Sequence, residues 1–158
     1  MNSNRFTLAV HILTLMAIER PAEPTPSAYF ARAASTNPVV VRRVLSQLHK
    51  ARLVINTPGA RGGAQLARDP EAITLLDVYQ ATGEETLFGI GSSDRNPHCI
   101  CARHIRPVMA AINAQAHAAL AQTFGTTSIA ALARDIQARD ADQPEAAAGP
   151  RRRRPAPP

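Results

Sequence analysis

The sequence predicts a mainly α-helical protein with one small β-hairpin, and three observations predict it. Apolar residues recur at helical spacing through most of residues 5–139. That period gives way to β-branched or alternating patterning only at Val54-Ile55 and Ala64–Ala67, on either side of a stretch dense in turn formers. Only 4% of residues are aromatic and none is Trp, so the core has to be built from Ala, Leu, Val and Ile. Two short helices followed by a hairpin give a winged helix-turn-helix, with a long helix after it. A chain of 158 residues has room for one such unit with appendages.

The first helix is expected over Arg5–Glu19. Phe6, Val10, Leu13 and Ala17 form one stripe, and Leu8, Ile12 and Leu15 form another. Apolar surface on nearly every side implies burial from two directions, by the fold core and by a partner subunit. Arg20-Pro21-Ala22-Glu23-Pro24 ends it. Thr25-Pro26 then offers a cap and a first-turn proline for a second helix, about Pro26 to Ala34, which buries Tyr29 or Phe30. Ser35-Thr36 breaks that helix and Asn37-Pro38 opens the third, Asn37 as N-cap and Pro38 where a missing N–H costs nothing. Val41, Val44, Leu45 and Leu48 make its buried stripe. Val39, Arg42, Arg43, Gln47 and Lys50 lie mostly off it. Residues 56–63, Asn-Thr-Pro-Gly-Ala-Arg-Gly-Gly, form the hairpin turn, with Arg61 near the tip between glycines.

Beyond Asp69-Pro70-Glu71, Thr74 caps a linking helix, with Asp77 as the short form of a capping box, and Thr82-Gly83 ends it. Residues 84–98 read as irregular. A long helix is expected from about Ala102 to Ala121, beginning nearer residue 104 because of Pro107, with Ile105, Val108, Met109 and Ile112 on one face. A short helix follows from about Ser128. The divisions are therefore 1–83 for the winged unit, 84–101 for a cysteine-bearing loop, 102–139 for the long and terminal helices, and 140–158 for a disordered Arg/Pro tail. The four arginines at 151–154 suit either a non-specific arm on a polyanion or a solvated charge run.

Charge is unevenly spread. Residues 1–68 carry nine Arg and Lys against two Glu, whereas residues 69–139 carry five Arg against seven acids. A basic first half points to a polyanionic partner. The apolar run Leu8–Ile18 is too short to span a bilayer and has no convincing cleavage site after it. Two cysteines one residue apart make no disulfide framework. A cytoplasmic protein is expected, without membrane association. No phosphate loop, metalloprotease signature or nucleophile elbow is present, which argues against an enzyme.

TNPVVVRRVLSQLHKARLV (36–54), GARGGAQLARDP (59–70), ITLLDVYQATGE (73–84) and NPHC (96–99) together resemble the Rrf-two (BadM/IscR-type) family of bacterial winged helix-turn-helix transcriptional regulators. The resemblance covers nearly all of residues 3–137 and is nearest to members without an evident iron–sulfur site. It implies a homodimer, held largely by the leading helix and the long dimerisation helix and usually a repressor, on a double-stranded DNA operator built as an inverted repeat, with half-site centres about one helical turn, roughly 34 Å, or a multiple apart. It also implies DNA contacts from Arg5, from Thr25 and Ser27 at the cap of the helix-turn-helix, and from Thr36, Asn37, Val39, Arg42 and Arg43. Arg61, Gly62 and Gly63 of the wing complete the set. Two departures stand out. Ala60 and Ala64 stand near where a third wing glycine is typical, and the loop has two cysteines where cluster-binding members have three.

His98-Cys99-Ile100-Cys101-Ala102-Arg103-His104 leaves three readings open. Cys99 and Cys101 could be redox-sensing thiols, their thiolates favoured by Arg103 and a helix start. Together with His98 and His104 they could contribute to a metal or iron–sulfur site across a dimer. They could also be small side chains that seat the loop. No cofactor is expected. The alternatives to an oxidation-modulated repressor are a metal-dependent sensor and a winged-helix module that docks a protein.

Overall fold

The computed structural model describes residues 4–59, 61–83 and 98–142. Helix α1 spans Asn4–Glu19, α2 Ser27–Ala33 and α3 Pro38–Lys50, followed by strands β1 Val54–Thr57 and β2 Gly63–Leu66. A 3₁₀ turn at Pro70–Ala72 leads to α4 Leu75–Ala81, then α5 Ile100–Gly125 and α6 Ile129–Asp142. The mainly helical winged fold is as expected. The hairpin is antiparallel, with Val54 opposite Leu66 and Thr57 opposite Gly63.

The core forms where the amphipathic stripes converge. Ala9, Ile12, Leu13 and Met16 of α1 meet Phe30 of α2 and Val41, Val44 and Leu48 of α3. Val54, Ile73, Val78 and Ile129 close it from the wing, the linking segment and α6. The expected burial of α1 from two sides is partly satisfied within the chain, because α6 packs along it. Of the two candidate aromatics in α2, Phe30 is the buried one. Tyr29 lies against its edge and donates a hydrogen bond to Glu19.

Two short antiparallel bridges brace the helices. In one, Thr25 pairs with Ala64, with N···O distances of 3.0 and 2.9 Å. This corrects the expectation that Thr25 caps α2: Pro26 occupies the N-cap, no side-chain bond caps the helix, and Thr25 is buried against the wing. In the other, Thr74 pairs with Ser128 and so seats the start of α6 beside α4. The capping box at Thr74 forms as expected: Asp77 N–H donates to Thr74 Oγ1 at 3.2 Å and Thr74 N–H donates to Asp77 Oδ2 at 2.9 Å.

Two boundaries differ from expectation. Helix α5 starts at Ile100, ahead of the expected start at Ala102 or nearer residue 104, and accommodates Pro107 in its interior. Only one intrahelical N–H is lost there, and the proline side chain is exposed, so nothing packed is displaced. Helix α6 continues through Asp142, so residues 140–142 are helical and not part of a disordered tail; the Arg139–Asp135 pair supports its last turns. Residues 84–97 of the irregular stretch expected over 84–98, Ala60 of the wing and the tail from residue 143, with its arginine run, lie outside the described residues. Among the described residues no helix is long and apolar enough to cross a membrane.

Candidate nucleic-acid interface

Helix α3 is built as its sequence dictates. Asn37 accepts the Val39 N–H at 2.8 Å, Pro38 occupies the first turn, and Val41, Val44, Leu45 and Leu48 are the buried residues. With the core side fixed, the rest of the helix can be oriented at about 100° per residue. The row facing directly away from the core is Val39, Arg43, Ser46 and Lys50, all exposed. Arg42 falls to one flank and Val40 to the other. The two adjacent arginines therefore point in directions about 100° apart and cannot do the same work. Ser46 had no signal of its own in the sequence; only the oriented helix places it in the outward row.

A groove lies on each side of α3. The one on the Arg42 flank, about 490 Å³, is lined by Ser27, Arg42, Asn56, Gly59, Gly62 and Gly63, among others. It thus brings together the start of α2, the helix flank and the wing. The one on the Val40 flank, about 290 Å³, is lined by Arg5, Thr36, Val40 and His11, among others. Ten of the eleven expected contact residues border these grooves, lie on α3 or its cap, or stand at the wing tip, where Arg61 is exposed. Thr25 is the exception, being buried at 9% exposure with its backbone engaged by Ala64. Val40 and His11 join the groups that the sequence had singled out.

The glycines explain how closely the wing sits. A Cβ on Gly63 would stand 2.4 Å from the carbonyl carbon and oxygen of Thr25, and one on Gly62 2.2 Å from the Thr57 carbonyl oxygen. Gly63 is thus required by the bridge that bolts the wing to the start of α2. The backbone freedom near Arg61 belongs to Gly59, whose φ is +105°. Electrostatically the face is unopposed. Among the described residues, the ion pairs are Glu71–Arg134 and Asp135–Arg139, both outside it. Arg5, Arg42, Arg43, Lys50 and Arg61 stand exposed without a carboxylate partner, which is an arrangement suited to phosphates.

Cys99 is the N-cap of α5 and Cys101 lies in its first turn; both are exposed free thiols. The Cys99 carbonyl accepts the Arg103 N–H at 3.2 Å, so Arg103 is tied to the same turn through its backbone. His98 and His104 are exposed nearby in sequence.

A family model described as Rrf2, iron-dependent transcriptional regulator, matches residues 2–135. YwnA of Bacillus subtilis (strain 168), named as an HTH-type transcriptional regulator, is 39% identical over 107 residues, 67% of this chain and 77% of that protein. A solved structure described as a DNA-binding protein shares 32% identity at a TM-score of 0.62, covering 81% of this chain and 97% of its own. One from Lactobacillus plantarum, described as a transcriptional regulator, shares 25% identity at a TM-score of 0.70, covering 92% and 98%. Among the described residues no group of three or more His, Cys, Asp or Glu is placed to hold a metal ion.

Proposed function

This chain belongs to the Rrf2 family and is a DNA-binding transcriptional regulator, not an enzyme; from that premise we propose that it is a cytoplasmic homodimeric repressor acting on an inverted-repeat operator. The observation that carries the reading is the carboxylate-free basic face running from Arg5 across α3 to Arg61, with a groove on each side of the helix. Long-range attraction brings the face to the duplex, and the outward row of α3 enters the major groove. Arg43, in that row, reads base edges. Arg42, turned toward the wing and the start of α2, holds the backbone beside the groove that Arg61 approaches.

These roles separate by experiment. Duplexes enriched from a random pool serve as probes in gel-shift titrations over a range of salt. Arg43→Ala should cost about 1–3 kcal/mol on enriched sequences and relax preference at one base pair. Arg42→Ala should weaken all duplexes alike and reduce the salt slope by about one. Unchanged affinity in both variants removes α3 from the account.

Cys99 and Cys101 are taken as thiols whose oxidation modulates operator binding, with no iron–sulfur cluster involved. Their exposure at the N-cap and first turn of α5 and the presence of only two cysteines in the sequence support this reading. Anaerobically purified protein should be colourless and free of iron. Peroxide treatment should change operator affinity in the native chain and not in the double Cys→Ser variant.

A further inference from the structure

Val39 and Val40 occupy the first turn of α3 and remain 54% and 41% exposed. Neither belongs to the core, whose α3 members begin at Val41. Two β-branched residues are a poor choice for an exposed helical turn on propensity alone. Their placement is nevertheless tightly set: Asn37 holds the Val39 N–H at 2.8 Å, and Pro38 fixes the backbone just before it. Val39 heads the outward row that continues through Arg43. Val40 forms part of the wall of the groove that holds Arg5 and Thr36. An apolar patch therefore stands at the leading end of the helix, with Arg5 and Thr36 on its Val40 side and Arg43 one helical turn beyond Val39.

The chemistry of a base edge says what such a patch fits. In the major groove every base presents hydrogen-bonding atoms, and the one apolar group among them is the C5-methyl of thymine. We propose that Val39 and Val40 read thymine C5-methyl groups in each half-site. The inference rests on the proposed DNA-binding role of α3 and adds to it a specific chemical preference. Val39 and Arg43 lie one helical turn apart, about 6 Å along the axis, and base pairs are about 3.4 Å apart. The methyl should therefore lie within about two base pairs of the guanine that Arg43 contacts.

Deoxyuridine in place of thymine deletes the methyl and leaves every hydrogen-bonding atom in place. The full chain is used to enrich duplexes from a random 30-base-pair pool, and each thymine of the enriched half-site is then replaced singly by deoxyuridine. At one or two positions the affinity should fall roughly fourfold per methyl, the size of one buried methyl-sized group. Val39→Ala and Val40→Ala variants should bind the thymine and deoxyuridine duplexes alike. Alanine suits an exposed helical turn, and circular dichroism checks that both variants remain folded. An enriched operator that tolerates deoxyuridine at every position overturns this inference alone, as does a thymine preference that survives in both variants. Enrichment of no duplex at all overturns the DNA-binding role of α3 together with it.

Discussion

Among the described residues, three other than glycine hold left-handed backbone: Arg20, Ser35 and Arg52, with φ of 45°, 48° and 56°. Each follows the last turn of a helix. At Ser35 the turn of the helix-turn-helix is closed by Thr36 N–H donating to Ala31 O at 2.8 Å and Ser35 N–H to Arg32 O at 3.2 Å. At Arg52 the matching pair is Leu53 N–H to Leu48 O and Arg52 N–H to His49 O, both 2.9 Å. This is the helix-ending motif in which glycine is usual, because a Cβ crowds the carbonyl in that conformation. Ser35→Gly should accordingly raise stability by about 0.5–1 kcal/mol, the relief of strain exceeding the added chain entropy. Urea denaturation measures it, and a loss of stability would show that the serine is not strained. Gly63→Ala should act the other way. Its Cβ would press into the Thr25 carbonyl, which is backbone and cannot swing aside. Overpacking of this kind costs about 1–3 kcal/mol. The same substitution should loosen the wing and weaken duplex binding, whereas Gly63→Ala with native stability would mean that the bridge yields easily.

At the scale of elements, α6 packs along α1 through Ile129 and Ala133 and is tied to the linking segment by one short backbone bridge and one polar cluster. Glu71 accepts from Arg134 and from Ser128 Oγ, the latter at 3.2 Å, joining the 3₁₀ turn to α6. The hydrogen bond from Arg134 holds the Glu71 carboxyl below its usual range, with smaller help from Ser128 and from the charge of Arg134, against some desolvation. A carboxyl depressed in the folded state contributes stability that is present above its unfolded pKa, about 4.3, and is lost as pH falls through the folded value. Glu71→Gln should therefore lower the melting temperature slightly at neutral pH, with the gap to the native chain closing in acid. A gap that persists in acid would assign the effect to packing. How far such elements can be read from sequence follows from where their determinants lie. Helix α3 was legible in full, since Asn37, Pro38 and the Val41–Leu48 stripe act locally. The start of α2 was not, because Thr25-Pro26 has the form of a cap while the partner that claims Thr25 is Ala64, on a distant strand. Pro107 misplaced the start of α5 because a single lost N–H is tolerated in an exposed helix. Arg42 and Arg43 looked equivalent until the core fixed which way α3 faces, and the same orientation brought Ser46 into view.

At the scale of the whole molecule, α5 is the longest helix among the described residues. Its 26 residues extend about 39 Å. The C-terminal end is anchored by Phe124, which stacks on Phe6 of α1 with centroids 5.3 Å apart and meets Tyr79 of α4 edge-on at 5.9 Å. Toward the N-terminal end, Ile105, Val108 and Ile112 are 38%, 54% and 48% exposed at spacings of three, four and seven residues. These three form an apolar stripe that stays partly exposed, and completing the burial of each Val or Ile would contribute about 1 kcal/mol or more. In the proposed homodimer a second copy would supply such a stripe by symmetry, as an isologous contact requires. Replacing Val108 and Ile112 by Arg should leave the monomer folded, with a native circular dichroism spectrum. In sedimentation velocity the native chain should run as a dimer and the variant as a monomer. Operator binding should fall steeply in the variant, because two half-sites held by one dimer benefit from effective concentration that separate chains lack. Affinity for an isolated half-site should change little, which separates loss of assembly from damage to the DNA-reading face. A variant that still sediments as a dimer would move the interface off this stripe, leaving the apolar groove between α1 and α6, lined by Val10, Leu15, Ile18, Leu132 and Ile136, as the surface to test next.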